Sequence, residues 1–191
     1  AARDALNAQL DKATQQLSLY RASTAFEKPR RDYNALVVTA TKRFSNNLVF
    51  LASYTYSRTI GNYPGTYSSN NGQLDPNISS QYDLTELLIN RNGPLPTDRP
   101  HNLKVTGSYV IPLGGAGGLT VGLNYLMLSG TPIEVLGFHP LYGTNETFIL
   151  PRGSGGRLPY IHQVDAHIGW GRQFGKQYRG EVVADFFNVL N

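Results

Sequence analysis

His162, Asp165 and His167, in the run HQVDAH, are by type the residues of this sequence best suited to hold a metal ion. On an extended strand Asp165 and His167 share a face, while His162 points the other way. The run therefore offers at most two ligands, with His139 far off in a loop, and no metal site is expected. Polar side chains lining a watery interior explain the run better. Asp75, Asn77 and Asp83 carry oxygens that suit calcium, but their spacing does not follow D-x-[DN]-x-[DN]-G, so loop turn chemistry is the better account. Ser154 lies in Gly153-Ser154-Gly155-Gly156 and not in a G-x-S-x-G elbow. Gly114 to Gly118 has the glycines of a phosphate cradle without the Lys-Ser/Thr or the helix that must follow. Glu181 and Asp185 would stand roughly 13 Å apart along a strand, too far for the paired carboxylates of a glycosidase. The chain has no cysteine, which removes disulfide scaffolds, cysteine zinc sites and thiol catalysis. The expectation is a protein with no cofactor and no enzymatic activity.

The elements that carry these residues are extended. The 191 residues are 16% charged and 11% aromatic, with 20 Gly and 11 Pro, a composition unlike a helical bundle and unlike collagen. No run of about 18 apolar residues exists, so no transmembrane helix is expected. The net charge of +4 is mild, and the densest basic cluster, Lys28, Arg30 and Arg31, is answered by Glu27 and Asp32. A solvated loop is expected there and no nucleic-acid partner. Leu6, Leu10, Ala13 and Leu17 recur at helical spacing and predict a short amphipathic helix over residues 3–19.

After residue 33 the period becomes two. Residues 33–44, 48–60, 101–112, 119–131, 157–174 and 178–190 read as six strands, paired into three hairpins by short turns at 45–47, 113–118 and 175–177. The connections between hairpins, 61–98 and 137–156, are long and rich in turn formers, around a segment at 79–89 with some helical character. Strands of about 12 residues with all long connections at one end do not suit a soluble sandwich, whose strands are nearer five or six. They suit a transmembrane barrel, which needs about 9–11 residues per tilted strand, short periplasmic turns and long extracellular loops. No charge occurs from Val105 through Ile133, as a lipid-facing wall requires. Phe44 and Phe174 lie by the short turns, with Ile111 at the matching place. Tyr54, Tyr56, Tyr125 and Tyr160 lie toward the opposite ends, which reads as two interfacial belts.

Particular residues then carry a resemblance. Residues 33–58 (YNALVVTATKRFSNNLVFLASYTYSR) resemble a barrel hairpin of TonB-dependent outer-membrane transporters, closest to the Oar-like group that bears a carboxypeptidase-regulatory-like domain. Asp98-Arg99-Pro100-His101-Asn102-Leu103 leading into GSYVIP, and then LNYLMLSGTP, is similar to that group's next hairpin. RLPYIHQVDAHIGW and DFFNVLN are similar to the segments just before the end of such barrels. The resemblance implies an all-β fold, an antiparallel up-and-down transmembrane β-barrel segment with a short N-terminal helix and long extracellular loops. It divides the chain into an extracellular loop and helix region, 1–32, and a C-terminal part of an incomplete receptor barrel, 33–191. The chain begins without Met or signal peptide and stops at Asn191 without a final aromatic strand, so an excised piece of a wall of about 22 strands is expected. Two matches to N-glycosylation acceptors, at Asn77 and Asn145, carry no weight in a bacterial surface protein.

What the resemblance implies of function is energised uptake of a large ligand, a siderophore, glycan or peptide, in the outer membrane of a Gram-negative bacterium. The implied partners are outer-membrane lipid, the remainder of the barrel and its plug, and a TonB-type energy-coupling complex reached through the plug. Tyr63, Tyr67, Tyr82, Phe138 and Tyr142 in the long loops are the ligand-facing candidates, since exposed aromatics make adaptable contact surfaces. Asp98, Arg99 and His101 are candidate loop anchors, because Pro94, Pro96 and Pro100 force an extended path into the strand. The alternative is a soluble, secreted all-β carbohydrate-binding or adhesin module, with its apolar face packed on a second sheet.

Overall fold

The computed structural model describes residues 2–23, 26–68, 73–74 and 81–190. Asp75 and Asn77 of the calcium pattern, the acceptor pattern at 77–79, and Asn191 lie outside the described residues. The elements in order are α1 (Ala2–Ser23), β1 (Arg31–Ser45), β2 (Leu48–Gly61), β3 (Tyr67–Ser68), β4 (Gln73–Leu74), β5 (Gly93–Pro94), β6 (His101–Pro112), β7 (Gly118–Leu128), β8 (Leu136–His139), β9 (Gly143–Phe148), β10 (Ile161–Phe174) and β11 (Tyr178–Phe186). They form two compact units. One holds 1–32, 60–96 and 132–156; the other holds 33–59, 97–131 and 157–191.

The second unit is a sheet. Its strands follow the order β1-β2-β6-β7-β10-β11, so each long strand lies beside its neighbour in sequence and the sheet is open. The β1–β2 turn is made by Asn46 and Asn47 at φ 52° and 64°. Two successive left-handed residues make a type I′-like turn, whose twist matches that of the strands it joins. At the β6–β7 turn the backbone crosses close to β10. A Cβ on Gly117, which sits at φ 96°, would overlap the Gly171 carbonyl oxygen, so the chain needs a glycine there.

Register sorts the side chains into two faces. Ala52, Val105, Tyr125 and Val164 form one cross-strand row, and Phe50, Gly107, Leu123, Ala166 and Phe186 another. Leu48, Tyr109, Val121, Ile168 and Ala184 form a third row on the same apolar face. The opposite face carries Leu51, Thr106, Asn124 and Asp165 in one row, and Val49, Ser108, Gly122, His167 and Asp185 in the next. Large apolar side chains of the first face stay exposed, Leu123 by 49% and Ile168 by 44%. Nothing among the described residues covers them.

Several expected boundaries shift. β7 stops at Leu128 and not at 131, β10 begins at Ile161 and not at 157, and β11 ends at Phe186 and not at 190. Past each of these ends the pairing with the neighbouring strand persists as a single backbone bond: Ser129 N–H donates to the His101 carbonyl, Leu158 N–H to Thr131, and Val189 N–H to Val164. The expected loop 137–156 contains a hairpin, β8–β9, paired Leu136↔Phe148 and Gly137↔Thr147. Helical character in 79–89 is reduced, among the described residues, to 3₁₀ turns at 81–82 and at Thr85–Leu88. Helix α1 forms where its spacing predicts, with Leu6 and Leu10 of its stripe 65% and 64% exposed.

The first unit has the core. Leu87, Leu95 and Phe148 are the buried apolar residues among those described, and all three belong to it. Asn62, also buried, fastens the basic segment 28–31 into this unit. Its side chain accepts from the Arg30 N–H at 2.7 Å and donates to the Lys28 carbonyl at 3.1 Å. Arg30 pairs with Asp32 at 3.0 Å and the cluster is exposed, but only residues up to 30 are loop: Arg31 and Asp32 already belong to β1, in place of the solvated loop expected for the whole cluster.

Candidate functional site

Two places hold most of the polar chemistry. The first is the collar at the loop end of the sheet. Asp98 is 1% exposed and its carboxylate accepts from the Thr59 N–H at 2.5 Å and from the Arg157 guanidinium. Arg157 also donates to the Asp98 and Gly130 carbonyls, at 3.0 and 3.2 Å. Arg99 donates to the Ser129 carbonyl at 2.7 Å, while its own carbonyl accepts from the Ser57 hydroxyl at 3.0 Å. The His101 N–H donates to Ser129 Oγ at 3.0 Å. Asp98, Arg99 and His101 thus tie the ends of β2, β6, β7 and β10 together. Proline 100 gives the chain the extended path that places Asp98 under β2. Gly130 is required for the same closeness, since a Cβ there would overlap the Leu158 carbonyl.

The second place is the loop unit. Phe148 lies between two guanidiniums, Arg91 at 5.2 Å and Arg152 at 4.6 Å from the ring centroid. Arg152 pairs with Glu134 at 3.0 Å, both buried. Arg91 donates to Gln81 Oε1 at 3.0 Å, to the Glu146 carbonyl at 2.6 Å and to the Leu87 carbonyl. Burial, and then the neighbouring Arg152, lower the Arg91 pKa to about 10. Burial also lowers that of Arg152, against the pull of Glu134. Charges this deep persist because Arg91 is hydrogen-bonded, Arg152 is paired with Glu134, and the ring face offers each cation a favourable quadrupole.

The five aromatic candidates divide. Tyr82 and Tyr63 meet edge to face at 6.2 Å, with Phe26 on Tyr82 at 6.4 Å. Burial raises the Tyr82 pKa above the ordinary phenol value. Tyr142, in the β8–β9 turn, donates to Asp83 at 2.8 Å and lies 5.4 Å from His139. That hydrogen bond raises its pKa. His139 in turn contacts Glu86 at 3.1 Å. Tyr67 and Phe138 are 54% and 67% exposed. The candidates are therefore brought into two contact groups plus two separate exposed rings. Sequence spacing did not single out Arg91, Arg152, Glu134 or Phe148; only their buried positions mark them.

In the HQVDAH run, His167 contacts Asp185 at 2.6 Å on the polar face, and Asp165 accepts from Asn124 at 3.2 Å and the Asn188 N–H at 2.9 Å. His162 lies on the apolar face, bonded to Tyr125 at 2.9 Å. No cluster of three metal-capable side chains is found among the described residues.

Comparison with known proteins fits this geometry. Residues 2–145 match the family model for an outer membrane beta barrel domain. A TonB-dependent transporter, Oar, of Myxococcus xanthus is 43% identical over 166 residues, 87% of this chain. The chain spans 16% of that relative's length. No solved structure matches the chain. The sheet with one apolar and one polar face is therefore a piece of barrel wall, and the expectation of a soluble secreted module is overturned by the family match. The chain belongs to the outer membrane β-barrel domain family, as a barrel segment of the TonB-dependent transporter type in a Gram-negative outer membrane.

Proposed function

We propose that this segment serves a receptor that takes up a bulky ligand, a siderophore, glycan or peptide, with energy delivered by a TonB-type complex. The observation that supports this reading is the 43% identity to a TonB-dependent transporter across 87% of the chain. In this reading the two-faced sheet is wall, with lipid outside and the rest of the barrel and its plug completing the structure. The loop unit presents Tyr63, Tyr67, Tyr82, Phe138 and Tyr142 toward the ligand. Phe138 and Tyr67, the two most exposed, make first contact. Tyr142 and Tyr82, held by Asp83 and by Tyr63 and Phe26, keep the surface in shape. Asp98, Arg99 and His101 anchor the connections to the wall, so that force or ligand contact on the loops does not unzip the strand ends.

The test uses the full-length receptor in its own bacterium. A deletion strain is grown with single siderophores, glycans or peptides as the limiting nutrient, with and without a protonophore. Loss of growth on one class, reproduced by Phe138→Ala with Tyr67→Ala and absent when energy is already withdrawn, is the expected result. Unchanged growth and uptake across all three classes would sink the proposal.

A further inference from the structure

At the loop end of the apolar face, aromatic and imidazole rings form a continuous row. Tyr56 lies 5.4 Å from His101, His101 6.3 Å from Tyr160, Tyr160 6.2 Å from His162, and His162 6.2 Å from Tyr125. Two Tyr–His pairs repeat within it. The Tyr54 hydroxyl meets His101 Nδ1 at 2.8 Å, and the Tyr125 hydroxyl meets His162 Nδ1 at 2.9 Å. In both pairs Nδ1 is occupied and Nε2 has no protein partner among the described residues. A hydroxyl donating to Nδ1 fixes the tautomer that carries the proton on Nε2, and an imidazolium carries it there as well. With the hydroxyl as the donor, each pair presents an N–H at Nε2.

Arg58 extends the row. It sits two residues beyond Tyr56 on β2, on the same face by alternation, and is exposed. No hydrogen bond or ion pair engages it among the described residues. On this face β2, β6, β7 and β10 carry no carboxylate, and the middle rows are wholly uncharged. The donors therefore lie only at the edge of the apolar band, where a membrane passes from hydrocarbon to headgroup. Because the long connections leave from this end, that edge is in the outer leaflet.

We infer that Arg58, His101 and His162 form a row of donors, spread over neighbouring strands, for the phosphates of outer-leaflet lipid headgroups, with the Tyr54, Tyr56, Tyr125 and Tyr160 rings packed on their upper acyl and sugar portions. The row takes anions because it offers a cation and two N–H donors with no competing carboxylate. The rings hold the donors at headgroup depth, since amphipathic rings settle there. This inference rests on the barrel-wall reading of the sheet and is independent of which ligand is transported.

The test uses the intact full-length receptor, purified in a neutral detergent and delipidated, then titrated with diphosphoryl lipid A and with its dephosphorylated form. Bound lipid is counted by native mass spectrometry. Arg58→Gln and the double variant His101→Gln, His162→Gln are expected each to weaken diphosphoryl lipid A about fivefold, roughly the contribution of one surface cation to an anionic headgroup. Binding of the dephosphorylated form stays unchanged, and so does the behaviour of Arg172→Gln at the far end of the same face. Equal binding of both lipids by the unaltered receptor, or variants that bind as it does, overturns the inference. Displacement of lipid A by excess inorganic phosphate also overturns it, because a small-anion site would then be present in place of a headgroup site. Heat-modifiable migration of every variant from the outer-membrane fraction checks the wall independently. Its loss in the unaltered receptor condemns the barrel reading, whereas its retention with indifferent lipid binding condemns this inference alone.

Discussion

The loop unit and the sheet unit solve opposite problems with the same alphabet. The loop unit buries Leu87, Leu95 and Phe148 and, around them, Gln81, Arg91, His139 and Arg152. It is built as a water-soluble domain is built, with an apolar interior and with its buried arginines bonded or ion-paired beside it. In the sheet unit the buried residues other than glycine, among those described, are Ser57, Thr59, Asp98 and Ser129, which are polar and sit in its collar. Its large apolar side chains face outward. The difference teaches where each unit's stability comes from: internal packing in one, and a hydrocarbon solvent with continuous strand pairing in the other.

The largest test of that contrast concerns the chain by itself. Expressed alone without detergent, it should aggregate, because the exposed face and the unpaired edges at β1 and β11 both invite association. A monodisperse, folded preparation seen by light scattering and circular dichroism would break the comparison. Within the full-length receptor, Phe148→Ala should cost the loop unit about 4 kcal/mol, since it removes a buried ring and leaves two guanidiniums without their shared face. Limited proteolysis should then cut between 81 and 152 while the barrel remains heat-modifiable.

Asp98→Ala should cost about 3 kcal/mol by leaving the Thr59 N–H without an acceptor and the Arg157 guanidinium without its carboxylate. Its signature is a lower unfolding temperature of the barrel, with Asp98→Asn falling between the two. Charge placement sharpens the contrast between faces: Leu123→Arg should destabilise by roughly 2–3 kcal/mol in reversible bilayer folding, and Thr106→Lys on the polar face by less than about 1 kcal/mol.

The smallest effect is one of pH. Tyr142 donates to Asp83, so its folded-state pKa lies above the ordinary 10.0. The neutral phenol is the form the fold favours, and the bond's contribution is complete below 10.0 and lost as pH rises through the raised value. Hydrogen exchange in the β8–β9 hairpin should quicken across that range, and Tyr142→Phe should abolish the change. An identical alkaline response in the variant would show that this hydroxyl carries none of it.

Strands, turns and faces were legible in the sequence because their information is local. Alternation assigns a residue to a face, paired asparagines or clustered glycines assign a turn, and the uncharged run from Val105 to Ile133 says what that face meets. The opposite orientations of His162 and Asp165 follow from the same period of two. The loop interior was not legible. Arg91, Arg152 and Phe148 come from segments distant in sequence, with no periodicity to announce them, and β8–β9 is a hairpin too short and polar to stand out.

The order of residues thus carries the period, the turns and the one-sided apolarity, and with them an outer-membrane wall. Folding adds the meetings of distant groups: Asp98 with Arg157, Phe148 between two arginines, and histidines with tyrosines across strands. The physical reason is that face assignment depends on a residue's own backbone. A contact depends on register and chain closure, which are fixed only when all the strands have found their partners.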